Sequence, residues 1–206
     1  MKGRAFLFLA VAVALLAASC DMADLERASL KTAEDYHARG LEHFDNGGYD
    51  SAIADFTQAI NLDPDFAEAY LSRGHAYFGR SRAYAHKGDW EMEWADGGRA
   101  VADWADGSIL LANQAIQLNP NDADAYCWRG LAYNNKKEYD RAFADFEHAI
   151  QLDPNHFDTY YFRGAIYYCK NDYDNAIADF ETALRLEPDS EYFQNMINWA
   201  RNEKEQ

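Results

Sequence analysis

The sequence predicts an all-α fold of stacked helix hairpins, and three observations support this. A pattern of aromatic residues, glycine, alanine and proline occurs twice between residues 123 and 189, with the second copy 34 positions after the first. Four Arg-Gly pairs lie along the chain, and its only four prolines each close one copy of the pattern. A period of this length is typical of repeated pairs of antiparallel helices. The recurring positions are Tyr126, Arg129, Gly130, Tyr133, Tyr139, Ala142, Phe146, Ala149 and Pro154, followed by Tyr160, Arg163, Gly164, Tyr167, Tyr173, Ala176, Phe180, Ala183 and Pro188.

These residues, in this order and spacing, resemble the tetratricopeptide repeat. The resemblance implies a right-handed α-solenoid of about four hairpins, each made of a helix A and a helix B. It places repeats at 33–66, 67–122, 123–156 and 157–190, and a C-terminal capping helix at 191–206.

The physical reasons for the repeat lie in the residues themselves. Helix A needs a small residue where helix B crosses it closely, which explains a glycine despite its cost of about 1 kcal/mol in a helix interior. Proline cannot continue a helix, so it ends each copy. One hairpin cannot bury its own apolar face, and stacking is needed to form a continuous core.

The first 19 residues have the pattern of an export signal. Lys2 and Arg4 precede an apolar run that is too short for an ordinary membrane span, and small residues precede Cys20. We expect residues 1–19 to be removed and the chain to be exported.

The residues before Cys20 resemble a bacterial lipobox, although Ala17 and Ser19 depart from the usual pattern. The resemblance implies acylation of Cys20, a tether at residues 20–32, and a lipid-anchored protein on the periplasmic or surface side of the cell envelope. Cleavage by ordinary signal peptidase and a retained anchor are the alternatives.

The second repeat contains an insertion. From Gly74 to Pro120 the chain spans 46 residues, compared with 24 from Gly40 to Pro64, so 22 residues are extra. We expect helix A to continue to about Lys87, followed by a turn and a longer helix B that is broken at residues 97–98.

Three of the five tryptophans, Trp90, Trp94 and Trp104, lie in this insertion. Two interpretations are open: the rings pack the long hairpin, or they form an exposed tip that contacts a partner or a membrane. The acidic residues of the insertion do not have the spacing of an EF-hand calcium loop.

The cysteines that follow Cys20 do not predict a disulfide. Cys127 and Cys169 lie at different heights of successive A helices, about 12 Å apart along the axis, whereas a bridge requires Cα atoms within about 7 Å. We expect two free and mostly buried thiols.

The resemblance also implies which residues line a concave groove formed by the A helices. The net charge of −16 and the absence of clustered Lys and Arg argue against nucleic acid as a partner. Acidic residues also recur in the first turn of each A helix, where they favour the helix dipole whatever the protein binds. The expected groove residues are His37, Leu41, Phe44, Leu71, His75, Phe78, Cys127, Leu131, Asn134, Tyr161 and Tyr168.

These features favour a non-enzymatic scaffold that binds a protein or peptide segment in its groove. No P-loop, GxSxG, HExxH or dinucleotide motif is present in the sequence. We expect no cofactor and no metal, because His37 and His75 have no third ligand at a suitable spacing. The alternative function is a small-molecule or lipid carrier with an enclosed apolar cavity. The sequence leaves the oligomeric state open.

Overall fold

The computed structural model describes residues 32–205, which form nine α-helices and no strand. The predicted signal at 1–19, the candidate lipid site Cys20 and the tether up to residue 31 lie outside the described residues. The helices are α1 (Ala33–Asp45), α2 (Tyr49–Leu62), α3 (Ala67–Lys87), α4 (Trp90–Leu118), α5 (Ala123–Asn135), α6 (Tyr139–Leu152), α7 (Phe157–Cys169), α8 (Tyr173–Leu186) and α9 (Glu191–Lys204).

The chain divides into two compact units, one ending at Pro64 and the other beginning at Asp65. In the first unit, α1 and α2 form a hairpin. In the second unit, α3 pairs with α4, α5 with α6 and α7 with α8, and α9 packs on α8. The prediction of an all-α fold with four helix hairpins, an elongated second hairpin and a C-terminal helix is therefore confirmed.

Each hairpin closes where an aromatic ring of helix B covers the glycine of helix A. A Cβ atom on Gly130 would lie 2.8 Å from Cε1 of Phe146, which is fully buried. The same contact joins Gly40 to Phe56 and Gly164 to Phe180. The glycines are therefore required by close helix packing, as the sequence predicts.

An arginine and aspartate pair links the two helices of each hairpin beside this contact. Arg129 donates from Nε to Oδ2 of Asp145 at 2.8 Å and from Nη2 to Oδ1 at 2.7 Å. Asp145 is only 6% exposed. This two-point geometry fixes the relative position of the helices as well as neutralising a buried charge. The other three pairs are Arg39 with Asp55, Arg73 with Asp103 and Arg163 with Asp179.

Polar side chains cap the N-termini of several helices. Thr32 and Asp35 form a capping box at α1, in which each side chain pairs with the other residue's backbone N–H. Asp122 accepts from the backbone N–H of Ala125 at α5, and Ser190 accepts from that of Phe193 at α9. Such caps satisfy N–H groups that have no partner within the helix.

The second hairpin is longer than the others because both of its helices are extended. Helix α3 ends at Lys87 and the chain turns at Gly88, which has a φ of 73°. This confirms the predicted end of helix A. The predicted break at residues 97–98 is wrong, because α4 is continuous from Trp90 to Leu118. Gly97 and Gly98 lie in its interior without a positive φ, since glycine weakens a helix but does not end it.

A second ion pair binds the extended part of this hairpin. Arg80 donates to Asp96 at 2.7 and 2.9 Å, and Arg99 donates to the same carboxylate at 2.8 Å. Asp96 is fully buried. Burial opposes its charge, but the hydrogen bonds from Arg80 and Arg99 outweigh that effect and lower the pKa of its carboxyl group. Asp96, an acidic residue of the insertion, is therefore a carboxylate paired with two arginines.

The prediction for the cysteines is half right. Cys127 is fully buried, and burial raises the pKa of its thiol to about 12. Cys169 is exposed and is the last residue of α7. Both are free thiols.

Candidate functional site

The main candidate site is an apolar groove between α4 and α5, in the second unit. Its volume is about 500 Å³. The groove residues from α4 are mostly small or aliphatic, and α5 contributes a tryptophan and a leucine. The lining residues are Trp104, Ser108, Leu111, Ala112, Ala115, Asp122, Asp124, Ala125, Trp128, Leu131, Ala132 and Asn135.

One wall of this groove is the part of α4 that continues beyond the ion pair of Asp103 with Arg73. Asp103 lies 16 residues before the C-cap Asn119, whereas Asp145 lies 8 residues before the C-cap Asp153. The added length is about two helical turns. These turns carry groove residues, among them Leu111.

Arg129 fixes the position of α5 between its neighbours. In addition to binding Asp145 on α6, it donates from Nη1 to Oδ1 of Asn113 on α4 at 2.7 Å. Lys136, the C-cap residue of α5, also pairs with Asp106 on α4. The two walls of the groove are therefore held together by polar contacts while the surface between them stays apolar.

Large apolar side chains are exposed along this groove. Trp128 is 52% exposed and Leu111 is 40% exposed, so the groove opens to solvent and is not an enclosed cavity. The Trp128 ring lies 6.0 Å from that of Phe162 on α7. On the rim, Asp124 pairs with Nε2 of His156 at 2.7 Å. The arrangement suits a segment that offers apolar side chains and tolerates or carries positive charge.

A second concave site lies on the extended hairpin, between α3 and α4. We call it the hairpin pocket, and its volume is about 410 Å³. Aromatic residues and two glycines form most of its surface. The lining residues are Phe78, Ser81, Glu93, Trp94, Gly97, Gly98, Val101 and Trp104.

Of the three tryptophans of the insertion, two are exposed and one packs inside the hairpin. Trp90 and Trp94 are 67% and 82% exposed. Trp104 is packed inside the hairpin, where a Cβ on Gly74 would lie 2.7 Å from its ring. It thus replaces the phenylalanine of the other hairpins and borders both the groove and the hairpin pocket.

Among the predicted groove residues of the second unit, Leu131 lines the groove between α4 and α5, and Phe78 lines the hairpin pocket. Cys127 is fully buried against Phe146 and Ile166, so its assignment to a contact surface is wrong. Leu71 is half-buried, and its side chain would meet a Cβ placed on Gly107 at 2.8 Å.

The remaining predicted residues of this unit are distributed along it. His75 is exposed and its ring lies 5.5 Å from that of Trp104. Asn134 and Tyr168 are half-buried. Tyr161 is partly covered by α9, where its hydroxyl lies 2.7 Å from that of Tyr192. Burial, together with this hydrogen bond, raises the pKa of Tyr161 to about 12.

The predicted residues of the first unit lie on α1. Leu41 is 41% exposed, whereas Phe44 is half-buried with its ring 5.8 Å from that of Tyr49. The ring of His37 lies 5.4 Å from that of Phe56. Leu41 is thus the most accessible of the three.

Trp128, Leu111 and Glu93 were missed from the sequence. Trp128 directly follows Cys127, the position that the family resemblance assigns to the groove, so the resemblance pointed one residue away from the exposed side chain. The signal for Leu111 is the length of helix B, which is visible as the excess between Gly74 and Pro120. No sequence signal identifies Glu93.

Neither a metal cluster nor a membrane span is found in the part of the chain described. Within residues 32–205, no group of three or more His, Cys, Asp or Glu side chains is arranged to hold a metal ion. No helix of this segment has the length and apolar character needed to cross a bilayer.

Comparison with known proteins places the repeats in a family. Peroxisome biogenesis protein 5 of Arabidopsis thaliana is 30% identical over 126 residues, which cover 57% of this chain and 17% of that protein. The SGT1 homolog of Oryza sativa subsp. japonica is 47% identical over 49 residues, covering 24% of this chain and 13% of that protein. This chain therefore spans less than a fifth of the length of either plant relative.

One similar solved structure is the first tetratricopeptide domain of Spaghetti (RPAP3), bound to an HSP90 peptide. It is 18% identical with a TM-score of 0.46, and the match covers 66% of this chain and 98% of that one. Family models described as TPR repeat and tetratricopeptide repeat match residues 40–79, and residues 123–156 and 157–190, respectively. Since these segments make up just over half of its residues, the chain belongs to the tetratricopeptide-repeat family.

Proposed function

We propose that this protein is an interaction module that binds a segment of a partner protein in the groove between α4 and α5. The observation that carries the proposal is the exposure of Trp128 and Leu111 on facing walls of an apolar groove of about 500 Å³. Exposed aromatic side chains in a concave apolar surface are typical of the energetic centre of a protein interface. Repeats of this family mediate protein–protein interactions, which supports the same proposal.

The groove defines the chemistry of the segment. Its walls offer apolar contacts to Trp128, Leu111 and Leu131, and the acidic rim at Asp122 and Asp124 disfavours an acidic segment. The net charge of −16 adds a long-range attraction for a basic partner. An apolar segment flanked by basic residues is therefore the expected ligand.

The test is site-specific photocrosslinking in the native cells. A photoreactive amino acid at Leu111 should join the protein to one dominant partner, and Trp128→Ala should reduce that product at least tenfold. Trp199→Ala is the matched control, because Trp199 is 55% exposed on α9 and lies outside the groove. A crosslinked partner that persists in Trp128→Ala, or no protein product from Leu111, would contradict the proposal.

We also propose that the protein is exported and anchored by acylation of Cys20. The support is the sequence alone: a basic start, a short apolar run and small residues before the cysteine. Acylation on several positions of one N-terminus would bind a membrane stably, whereas a single chain is marginal. Cys20→Ala should move the protein from the membrane to the soluble fraction. Retention in the membrane without acylation would show that another element anchors it.

A further inference from the structure

The hairpin pocket contains a carboxylate oxygen that has no partner within the part of the chain described. Oε2 of Glu93 is buried and accepts no hydrogen bond. A buried charged acceptor without a donor is unfavourable, because it has lost its water and gained nothing in exchange. Such an atom in a pocket indicates that a donor is supplied from outside.

The arginines of the extended hairpin bind a different carboxylate. Arg80 donates from Nε and Nη2 to Asp96, and Arg99 donates to the same residue. Asp96 is therefore held by two cations, while Glu93 lies three residues earlier on α4 without one. The pocket has an acceptor for a positive group, and among residues 32–205 Glu93 is its one charged lining residue.

Three aromatic side chains also line the pocket. The indole of Trp94 is 82% exposed and Phe78 is 45% exposed, and the Phe78 ring lies 5.7 Å from that of Trp104. Ring faces attract cations, most strongly for tryptophan. A carboxylate among such rings favours a positive group over a neutral one of the same shape.

Two glycines keep this pocket open. A Cβ atom on Gly97 or Gly98 would meet nothing within 4 Å, so helix packing does not require glycine at either position. Both nevertheless weaken the helix in which they lie. Gly97 and Gly98 line the pocket next to Glu93 and Trp94. Because neither glycine has a side chain, they leave space in the pocket at that point.

We propose that the hairpin pocket binds an arginine side chain of a partner polypeptide. The guanidinium donates to Glu93 and stacks on Trp94, and Phe78 covers the aliphatic part of the side chain. A guanidinium is flat, carries several donors and is more weakly hydrated than an ammonium group, which suits a partly buried aromatic site. The charge of −16 attracts such a partner. Of its lining residues, this site shares Trp104 alone with the groove between α4 and α5, and it does not depend on the function proposed for that groove.

The probe for this site is the tripeptide acetyl-Ala-Arg-Ala-amide. Its neutral counterpart carries citrulline, which keeps the shape of arginine but loses the charge. Binding to the full chain is followed by the indole N–H signals of the five tryptophans in NMR spectra, each assigned by a Trp→Phe variant. We expect saturable shifts at Trp94 and Trp104 with the arginine peptide, little change with the citrulline peptide, and none at Trp199.

Two variants test the role of the pocket residues. Glu93→Gln should weaken binding at least tenfold, whereas Glu91→Gln removes the same charge from an exposed position of α4 and should leave binding unchanged. Gly97→Ala should raise the melting temperature yet weaken binding, so that loss of binding is not confused with loss of folding. Equal shifts with both peptides, or full affinity in Glu93→Gln, would overturn the proposal. The Trp128 signal reports on the groove separately, so either site can fail without the other.

Discussion

At the scale of single residues, the buried aspartates hold the two helices of each hairpin together. Each accepts two hydrogen bonds from one arginine across its hairpin, as Asp145 does from Arg129. The attraction within such a pair is largely offset by the loss of hydration of both groups, so the pair itself adds little net stability. Removing one member is costly, because the other charge is left behind with no partner.

Asp145→Asn should therefore destabilise the protein by about 3 kcal/mol, because the guanidinium of Arg129 loses its counter-charge in a mostly buried site. Glu181→Gln is the matched control. It removes a negative charge from the Glu181 and Arg201 pair, whose members are about half exposed, and should cost less than about 0.5 kcal/mol. Urea unfolding followed by circular dichroism measures both. Similar losses in the two variants would show that charge alone, and not burial, sets the effect.

At the scale of helices, the second hairpin extends the pattern of the others. Arg73 pairs with Asp103 across 30 residues, whereas Arg129 pairs with Asp145 across 16. Arg80 and Asp96 are again 16 residues apart, and both lie seven positions closer to the turn than Arg73 and Asp103. Seven residues are close to two helical turns, so the second pair lies on the same side of the hairpin as the first. The insertion thus adds a second arginine and aspartate pair and lengthens the hairpin without breaking either helix.

Glycines in these helices should respond to substitution in opposite directions. Gly130→Ala places a methyl group 2.8 Å from Phe146, and forcing that contact apart should cost about 1–3 kcal/mol. Gly98→Ala adds the same methyl group where nothing lies within 4 Å, and should stabilise the protein by about 0.5–1 kcal/mol. Melting temperatures of the two variants test this. A loss of stability in Gly98→Ala would mean that its helix is not continuous there.

This contrast shows what the sequence could and could not predict. The repeating pattern predicted the hairpins and the crossing glycines, because each hairpin needs a small residue where its two helices meet. The end of α3 was predicted by the Gly88 turn inside the insertion. The sequence did not predict that α4 is continuous, because a glycine pair reads the same in a helix and at a break. The groove position of Trp128 and the unpaired Glu93 depend on the lengthened hairpin. No other copy in the chain has that geometry, so the repeat offered no template for them.

At the scale of the whole molecule, the second unit ends with a helix that is apolar on one face only. Helix α9 buries Ile197 and Ala200 against Phe180 and Ala176 of the last hairpin. Its other face carries exposed residues, among them Asn198 and Trp199. An array of hairpins has an apolar surface at its end, and a helix of this kind covers it so that copies do not associate there.

Ile197→Asp should remove this cover. Ile197 is 2% exposed, and an aspartate there would bury a charge without a partner, which should cost about 4 kcal/mol and free α9 from α8. Asn198→Asp introduces the same charge at the next residue, which is exposed, and should change stability by less than about 0.5 kcal/mol. Analytical ultracentrifugation should show association of Ile197→Asp through the uncovered surface of α8, while Asn198→Asp sediments like the unaltered protein. If Ile197→Asp loses stability without associating, α9 contributes to folding but does not protect the end of the array.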